Sequence, residues 1–339
     1  VPENGSGRHV DWGRIFSDAL LVGLGSTAAV YALTAVGLNL QFGYAGLMNY
    51  GQAGFLLVSA YGTAIAVDSW NAPLPVAFLV GLAAAVGLGL LLGIPTLRLR
   101  ADYLAIVTIS AAEILRIVAN SRAAQGVTGG PQGIKQFAGA FFDWNPIPSG
   151  RYGVGTVAFS HRDLWVMSVG WGLVAIFSLV VRILMRSPWG RVVRAVREDE
   201  DAARSLGKNT FVYKLQALTF GGVIGGLAGI LLVLDNQFVE PKNFESALTF
   251  FAYTALIMGG SGRILGPALG SVMFWCAVAG FQSFLREAIA HNLLGIGSVL
   301  DPADVGPTRF ALVGLAIMVL MVSRPQGVLG SRTEVMLDE

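Results

Sequence analysis

Apolar residues gather into nine long runs along this chain: Ile15–Leu40, Leu47–Val67, Leu74–Leu97, Tyr103–Val118, Leu164–Leu184, Tyr213–Leu234, Ala247–Met258, Ile264–Leu285 and Arg309–Val322. A helix needs about 20 mostly apolar residues to cross the hydrocarbon core of a bilayer. The pattern therefore predicts an all-α polytopic membrane protein of roughly 8–10 transmembrane helices. A transmembrane domain is expected over residues 15–324, between a polar tail at 1–14 and a second tail at 325–339. Tyr103–Val118 and Ala247–Met258 are short for a straight span. Either their flanks extend them, or they pack inside the bundle.

One stretch breaks the apolar pattern. Asn39, Gln41, Gly43, Tyr44, Gly46, Asn49, Gly51, Gln52 and Gly54 crowd the junction of the first two runs. Irregular backbone at membrane depth survives only inside protein or beside a water-filled cavity. A broken or re-entrant segment is thus expected near residues 40–55, in the centre of the bundle. Asn39, Gln41, Tyr44, Asn49 and Gln52 are candidates to line a transport pathway. Their polar groups are equally able to satisfy the backbone freed by the break.

Glu113 is a further pathway candidate, because an ionisable residue in a membrane segment is a functional candidate by default. It stands three residues before Arg116 on one helix, so an intrahelical pair is the alternative. Gly221, Gly225 and Gly229 form a row at i, i+4, i+8, with Gly222 and Gly226 beside it. Such rows let helix backbones approach closely, within the subunit or across a subunit interface.

Composition agrees with a membrane protein. Of 339 residues, 54% are hydrophobic and only 13% charged, about half the charged share of a soluble domain. A net charge of +2 argues against a uniformly basic surface for nucleic acid. The single cysteine, Cys276, cannot form an internal disulfide or a thiolate metal site. His9, His161 and His291 lie far apart, and no HExxH pair supports a zinc hydrolase. The first twelve residues lack the basic start and cleavage site of a signal peptide.

Basic residues mark cytoplasmic loops. Arg186, Arg191, Arg194, Arg197, Arg204 and Lys208 place the 185–212 loop inside. Counting crossings from there puts 119–163, 235–246 and 286–308 outside. It puts 98–102, 259–263 and the tail from Arg324 inside. The 185–212 loop also carries an acidic set, Glu198, Asp199, Glu200 and Asp201, suited to a helix N-terminus. Ala202, Ala203 and Leu206 follow as an apolar stripe, and Gly207 is a natural stop. The pattern predicts a short amphipathic helix over Glu198–Asn209, suited to docking in a groove on a soluble partner. A solvated loop with an ordinary capped helix is the alternative.

Asp201-Ala-Ala-Arg-Ser-Leu-Gly207 resembles the coupling loop of ABC importer permeases, with Asp in place of the usual Glu. Gly37–Gly46 with Gly51-Gln-Ala-Gly-Phe55, then Leu97–Thr108 running into Glu113-Ile-Leu-Arg116, resemble successive signatures of the branched-chain amino-acid (leucine, isoleucine, valine) permease family. Thr128–Ile134, Met258–Pro267 and Arg324-Pro-Gln-Gly327 complete an ordered set similar to its M-type Liv subunit. Tyr50, Gly51 and Gln52 depart from the small residue and His usual in the second block.

The resemblance implies a multi-pass subunit of the bacterial plasma (inner) membrane with a cytoplasmic C-terminus. It implies a second permease, homologous or identical, two ATP-binding subunits and an external solute-binding protein. ATP and Mg would be held by those partner ATPase subunits. This chain carries no GxxxxGK[ST] phosphate loop, and no cofactor is expected in it. The residues at 198–203, Leu206 and Gly207 would then couple transport to the ATPase. An ABC permease for urea, short amides or another small polar solute is the near alternative. An ion-coupled secondary transporter is the alternative from another class, although no inverted repeat is visible.

Overall fold

A computed structural model describes residues 11–97, 101–154, 157–291, 304–324 and 326–330. Arg98 and Arg100 of the second signature, most of the 286–308 connection, and the ends of both tails lie outside the described residues.

Each of the nine apolar runs folds as helix. The long elements are α1 (Trp12–Leu24), α2 (Ser26–Leu38), α3 (Gln52–Asp68), α4 (Leu74–Thr96) and α5 (Ala101–Asn120). After two short helices, α6 (Gln125–Thr128) and α7 (Gly139–Asp143), comes α8 (His161–Arg186). Then follow α9 (Pro188–Glu198), α10 (Glu200–Ser205), α11 (Thr210–Asn236), α12 (Ser246–Gly259), α13 (Gly266–Ala290) and α14 (Val305–Ser323). Among the described residues, six helices are long and apolar enough to cross a membrane. The bent pair α1 and α2 adds a seventh if it is counted as one span, and α12 is a shorter apolar helix.

α11 is the axis of the bundle. In its most apolar window 78% of residues are buried, against 22% in α5 and 11% in α14. Its glycines explain why. A Cβ on Gly229 would stand 2.3 Å from the Leu56 carbonyl oxygen, and one on Gly222 2.2 Å from the Phe55 ring. Gly221 meets Gln41 and the Gly37 carbonyl, Gly225 meets Gln52, and Gly226 meets Ser59. Both glycine rows therefore pack α2 and α3 within this chain, not a second subunit. Without a hydrophobic drive between helices in lipid, this close backbone approach supplies the packing.

Two features depart from the sequence expectation. The run Ile15–Leu40 is not one straight helix: it bends by 44° at Gly25. Gly25 is extended, and its N–H returns to the Val22 carbonyl at 3.2 Å. The Leu24 carbonyl is met by the Trp171 indole N–H at 2.7 Å. The 119–163 loop carries short helices and strands that the apolar pattern does not mark. Strand β1 (Ile134–Lys135) pairs antiparallel with β4 (Phe238–Val239), and β2 (Arg151–Val154) pairs with β3 (Val157–Ser160).

These pairings sort the loops to two ends. β1 and β4 join the 119–163 and 235–246 connections at one end. Asp18 of α1 meets Ser283 near the end of α13 at 2.8 Å, and α1 lies against β3, so the start of α1 belongs to that end. At the other end, the Val328 and Leu329 N–H groups donate to Met258 and Gly259 at 3.0 and 3.2 Å. There the Asn39 side chain reaches Gly262 and Arg263, and Arg197 reaches Gly43. Of the loops that the charge walk groups together, 119–163 thus meets 235–246, and the 259–263 turn meets the tail at 326–330.

Candidate functional site

The expected break is present, and its parts are distinct. α2 runs into a π-helical turn, Asn39–Tyr44, and the chain then makes an irregular passage before α3 begins at Gln52. A π turn inside a helix marks a functional site more often than chance. Backbone bonds within the segment, such as Leu47 N–H to the Gln41 carbonyl at 2.8 Å, meet some of its polar groups, and side chains meet others.

Three amides form a network beside it. Asn49 Nδ2 donates to both Gln41 Oε1 and Gln52 Oε1, each at 2.9 Å. Gln41 Nε2 donates to the Leu218 carbonyl at 2.8 Å, and Gln52 Nε2 to the Gly221 carbonyl at 3.0 Å. Both carbonyls belong to α11, so the triad ties the break to the axis of the bundle. Asn49 Oδ1 accepts from Gly51 N–H at 3.0 Å, and the Tyr253 hydroxyl donates to the Asn49 carbonyl at 3.0 Å. Gln41, Asn49 and Gln52 are all 0% exposed. A buried network with its members satisfied rigidifies its surroundings.

Gln41, Asn49 and Gln52 are thus held inside this chain. Asn39 is also buried, with Nδ2 on the Arg263 carbonyl and Oδ1 accepting from Gly262 N–H, each at 2.8 Å. Asn39 thus ties the break to the turn between α12 and α13. Tyr44 is buried as well. Glu113 pairs with Arg116 one turn along α5, with Arg116 Nε to Glu113 Oε2 at 3.0 Å. Both side chains are partly exposed, as an intrahelical pair would leave them.

Sequence reasoning missed three hydroxyls that seal the break from neighbouring helices. Thr249 Oγ1 accepts from Ala53 N–H at 2.9 Å, Thr108 Oγ1 from Tyr50 N–H at 3.1 Å, and Tyr253 is the third. A single threonine or tyrosine in an apolar helix carries no local sign of a partner two hundred residues away.

The 185–212 loop is ordered as two helices, not one. Pro188 opens α9, whose Gly190, Val193 and Val196 are buried. The chain turns at Asp199, which caps α10 by accepting from Ala202 N–H at 2.9 Å. Glu198 therefore ends α9, and only Asp199, Glu200 and Asp201 stand at the α10 N-terminus. Glu200 faces inward to Thr210 at 3.0 Å, Arg204 at 3.0 Å and Lys214. Partial burial pushes its carboxyl up, but the Lys214 ammonium and its other partners hold it below the ordinary carboxylate range. Asp201 is exposed and pairs with Arg204 at 2.9 Å.

The expected apolar stripe is split. Ala203 is buried against its own subunit, whereas Ala202 is exposed and Leu206 is 80% exposed. One turn of helix puts Ala203 and Leu206 on nearby faces, but Leu206 sits at the helix end and swings clear before Gly207, at φ +75°.

A sequence profile of the family described as the branched-chain amino acid transport system permease component matches residues 20–323. The high-affinity branched-chain amino acid transport system permease protein LivM of Salmonella typhimurium (strain LT2) is 32% identical over 324 residues, covering 91% of this chain and 69% of the relative. The protein of the same description from Escherichia coli (strain K12) is 31% identical with the same coverage. A probable branched-chain amino acid transport permease protein LivM of Methanocaldococcus jannaschii is 25% identical, covering 88% of this chain and 90% of the relative. With its apolar helices, its buried break and this match over most of its length, the chain belongs to the permease components of branched-chain amino acid transport systems.

Proposed function

We propose that this chain is the permease subunit of an ABC importer that carries branched-chain amino acids into the cytoplasm. ATP is hydrolysed, with Mg, on two partner subunits. A second permease, homologous or identical, completes the membrane part, and an external binding protein delivers the solute. The end holding α9, α10 and residues 326–330 faces the cytoplasm, and the end holding β1–β4 faces outward.

One structural observation carries the coupling role: α9 and α10 form a compact, capped pair at the proposed cytoplasmic end, and Leu206 stands 80% exposed on it. A large aliphatic side chain held clear of its own subunit at a helix end suits a groove on a partner. The exposed Asp201 and Ala202 flank it. Ala203, Glu198, Asp199, Glu200 and Gly207 support the shape of that surface.

Leu206→Glu tests it. The change is on the surface and leaves the buried Ala203 face intact, so membrane abundance should match the parent. Recovery of the ATPase by pull-down, and uptake, should fall at least tenfold. Equal recovery with intact uptake would place the coupling surface elsewhere. Sidedness has its own test in a Cys276→Ala background. Val127→Cys, at an exposed site, should label in intact cells, and Leu206→Cys only after permeabilisation. The reverse pattern would invert the topology.

A further inference from the structure

The broken segment is held from two directions. On one side the amide triad ties it to α11, and Asn39 ties it to the turn between α12 and α13. On the other side a single long side chain arrives from α9. Arg197 Nη1 donates to the Gly43 carbonyl at 2.5 Å. Gly43 lies inside the π turn, where the regular i−4 bonding of the helix has been lost. A charge-assisted hydrogen bond is about twice as strong as a neutral one, so Arg197 is a firm grip on that turn.

The surroundings are shaped for this contact. Gly46 has φ +69°, and a Cβ there would stand 2.9 Å from Arg197 Cγ. Glycine is needed at this position both for the backbone and for passage of the arginine stem. α9 itself is well anchored. Val193 and Val196 are buried, and Arg194 Nη2 donates to the Met185 carbonyl at 3.0 Å. Next along the chain, Glu200 is joined to Lys214 at the base of α11. A movement of the α9–α10 pair therefore reaches Gly43 through one rigid element and one side chain.

The junction also has room to move. Ala45, Gly46, Leu47, Val196 and Arg197 help to line a cavity of about 210 Å³. Loop residues 45–47 can shift into that space without displacing packed helix. A close-packed interior would resist the same shift.

From this geometry we infer that Arg197 is the positioning residue by which the α9–α10 loop sets the conformation of the broken segment 39–51 during transport. The inference rests on the proposed importer function. Its molecular core, the grip of Arg197 on the break, is separable from that function.

The test uses two readouts. Ala45→Cys in a Cys276→Ala background places a thiol at a buried site in the break. In the purified chain, Arg197→Ala should raise its maleimide labelling rate at least fivefold, and Arg197→Lys should restore part of the protection. In the complex with ATPase and binding protein, Arg197→Ala should recover the ATPase normally. Uptake per ATP hydrolysed should nevertheless fall at least tenfold, again partly restored by lysine. An unchanged labelling rate would overturn the grip. Raised labelling with an unchanged uptake-to-ATP ratio would overturn its role in transport. If the parent chain recovers no ATPase at all, the importer reading fails, and with it the transport role, while the labelling series still decides the grip alone.

Discussion

The apolar helices of this permease are interrupted twice before residue 52, and the two interruptions are built differently. At Gly25 the helix bends by 44° and resumes at once. One glycine, the Trp171 indole N–H and a side-chain bond between Ser26 and Asp235 lie at that bend. At 39–51 the chain changes helix type, leaves the helix and turns into α3. That longer excursion calls on Asn39, Gln41, Asn49 and Gln52, on hydroxyls from α5 and α12, and on Arg197. In lipid every exposed backbone group must find a partner inside the protein. The longer break is thus tied to more neighbouring elements than the shorter one.

The comparison can be broken most sharply at the glycines that let α11 reach the second break. Gly229→Val would push atoms into the Leu56 backbone, which cannot yield as a flexible side chain would. Overpacking of this kind costs about 1–3 kcal/mol or more. No monodisperse protein is expected in detergent by size-exclusion chromatography. Gly87→Ala, in α4 with no atom near its added methyl, should behave as the parent.

A smaller but large effect is expected at the amide triad. Asn49→Leu keeps the volume and removes the donor shared by Gln41 and Gln52, together with the acceptor for Gly51 N–H. Each buried group left unmatched costs about 1–3 kcal/mol. The melting temperature should fall by several degrees, and uptake at least tenfold. A variant with parental melting and uptake would show that the triad is incidental.

At the first break, Trp171→Phe removes one hydrogen bond and keeps the ring. The expected cost is about 0.5–1.5 kcal/mol, visible as a small drop in melting temperature with uptake retained. If Trp171→Phe proved as damaging as Asn49→Leu, the two breaks would not differ as described.

The smallest effect expected is one of pH, at the loop that grips the second break. The Glu200 carboxyl is held below its ordinary range in the folded protein. A depressed pKa contributes stability above the unfolded value and loses it as pH falls through the folded value. Amide exchange in α10, corrected for its intrinsic rate, should therefore quicken as pH falls through and below the carboxylate range. Glu200→Gln should remove that dependence. A response of equal size in the glutamine variant would assign it to another group.

Much of this architecture was legible in the sequence, for identifiable reasons. Apolar runs of bilayer length located every long helix. The density of amides and glycines located the second break, because polar groups in an apolar run have to be accounted for. The first break was not legible: a lone Gly25 in a run of many glycines carries no distinguishing mark. Nor could the sequence show how the amides are bonded, since a pathway and a backbone clamp call for the same residue types. The loop was readable as charge and small residues, but the division at Asp199 and the inward turn of Ala203 depend on contacts with α11. Residues such as Thr249 and Arg197 act across long sequence separations, and local patterns do not record their targets.

The central claim is best tested by uptake of labelled leucine into proteoliposomes that hold this chain, its partner permease and its ATPase subunits, with the binding protein supplied on the outer side and ATP–Mg enclosed. The account predicts accumulation that requires ATP and the binding protein, survives collapse of ion gradients, and is lost in Leu206→Glu. Accumulation by this chain alone, driven by an ion gradient and indifferent to ATP, would contradict it.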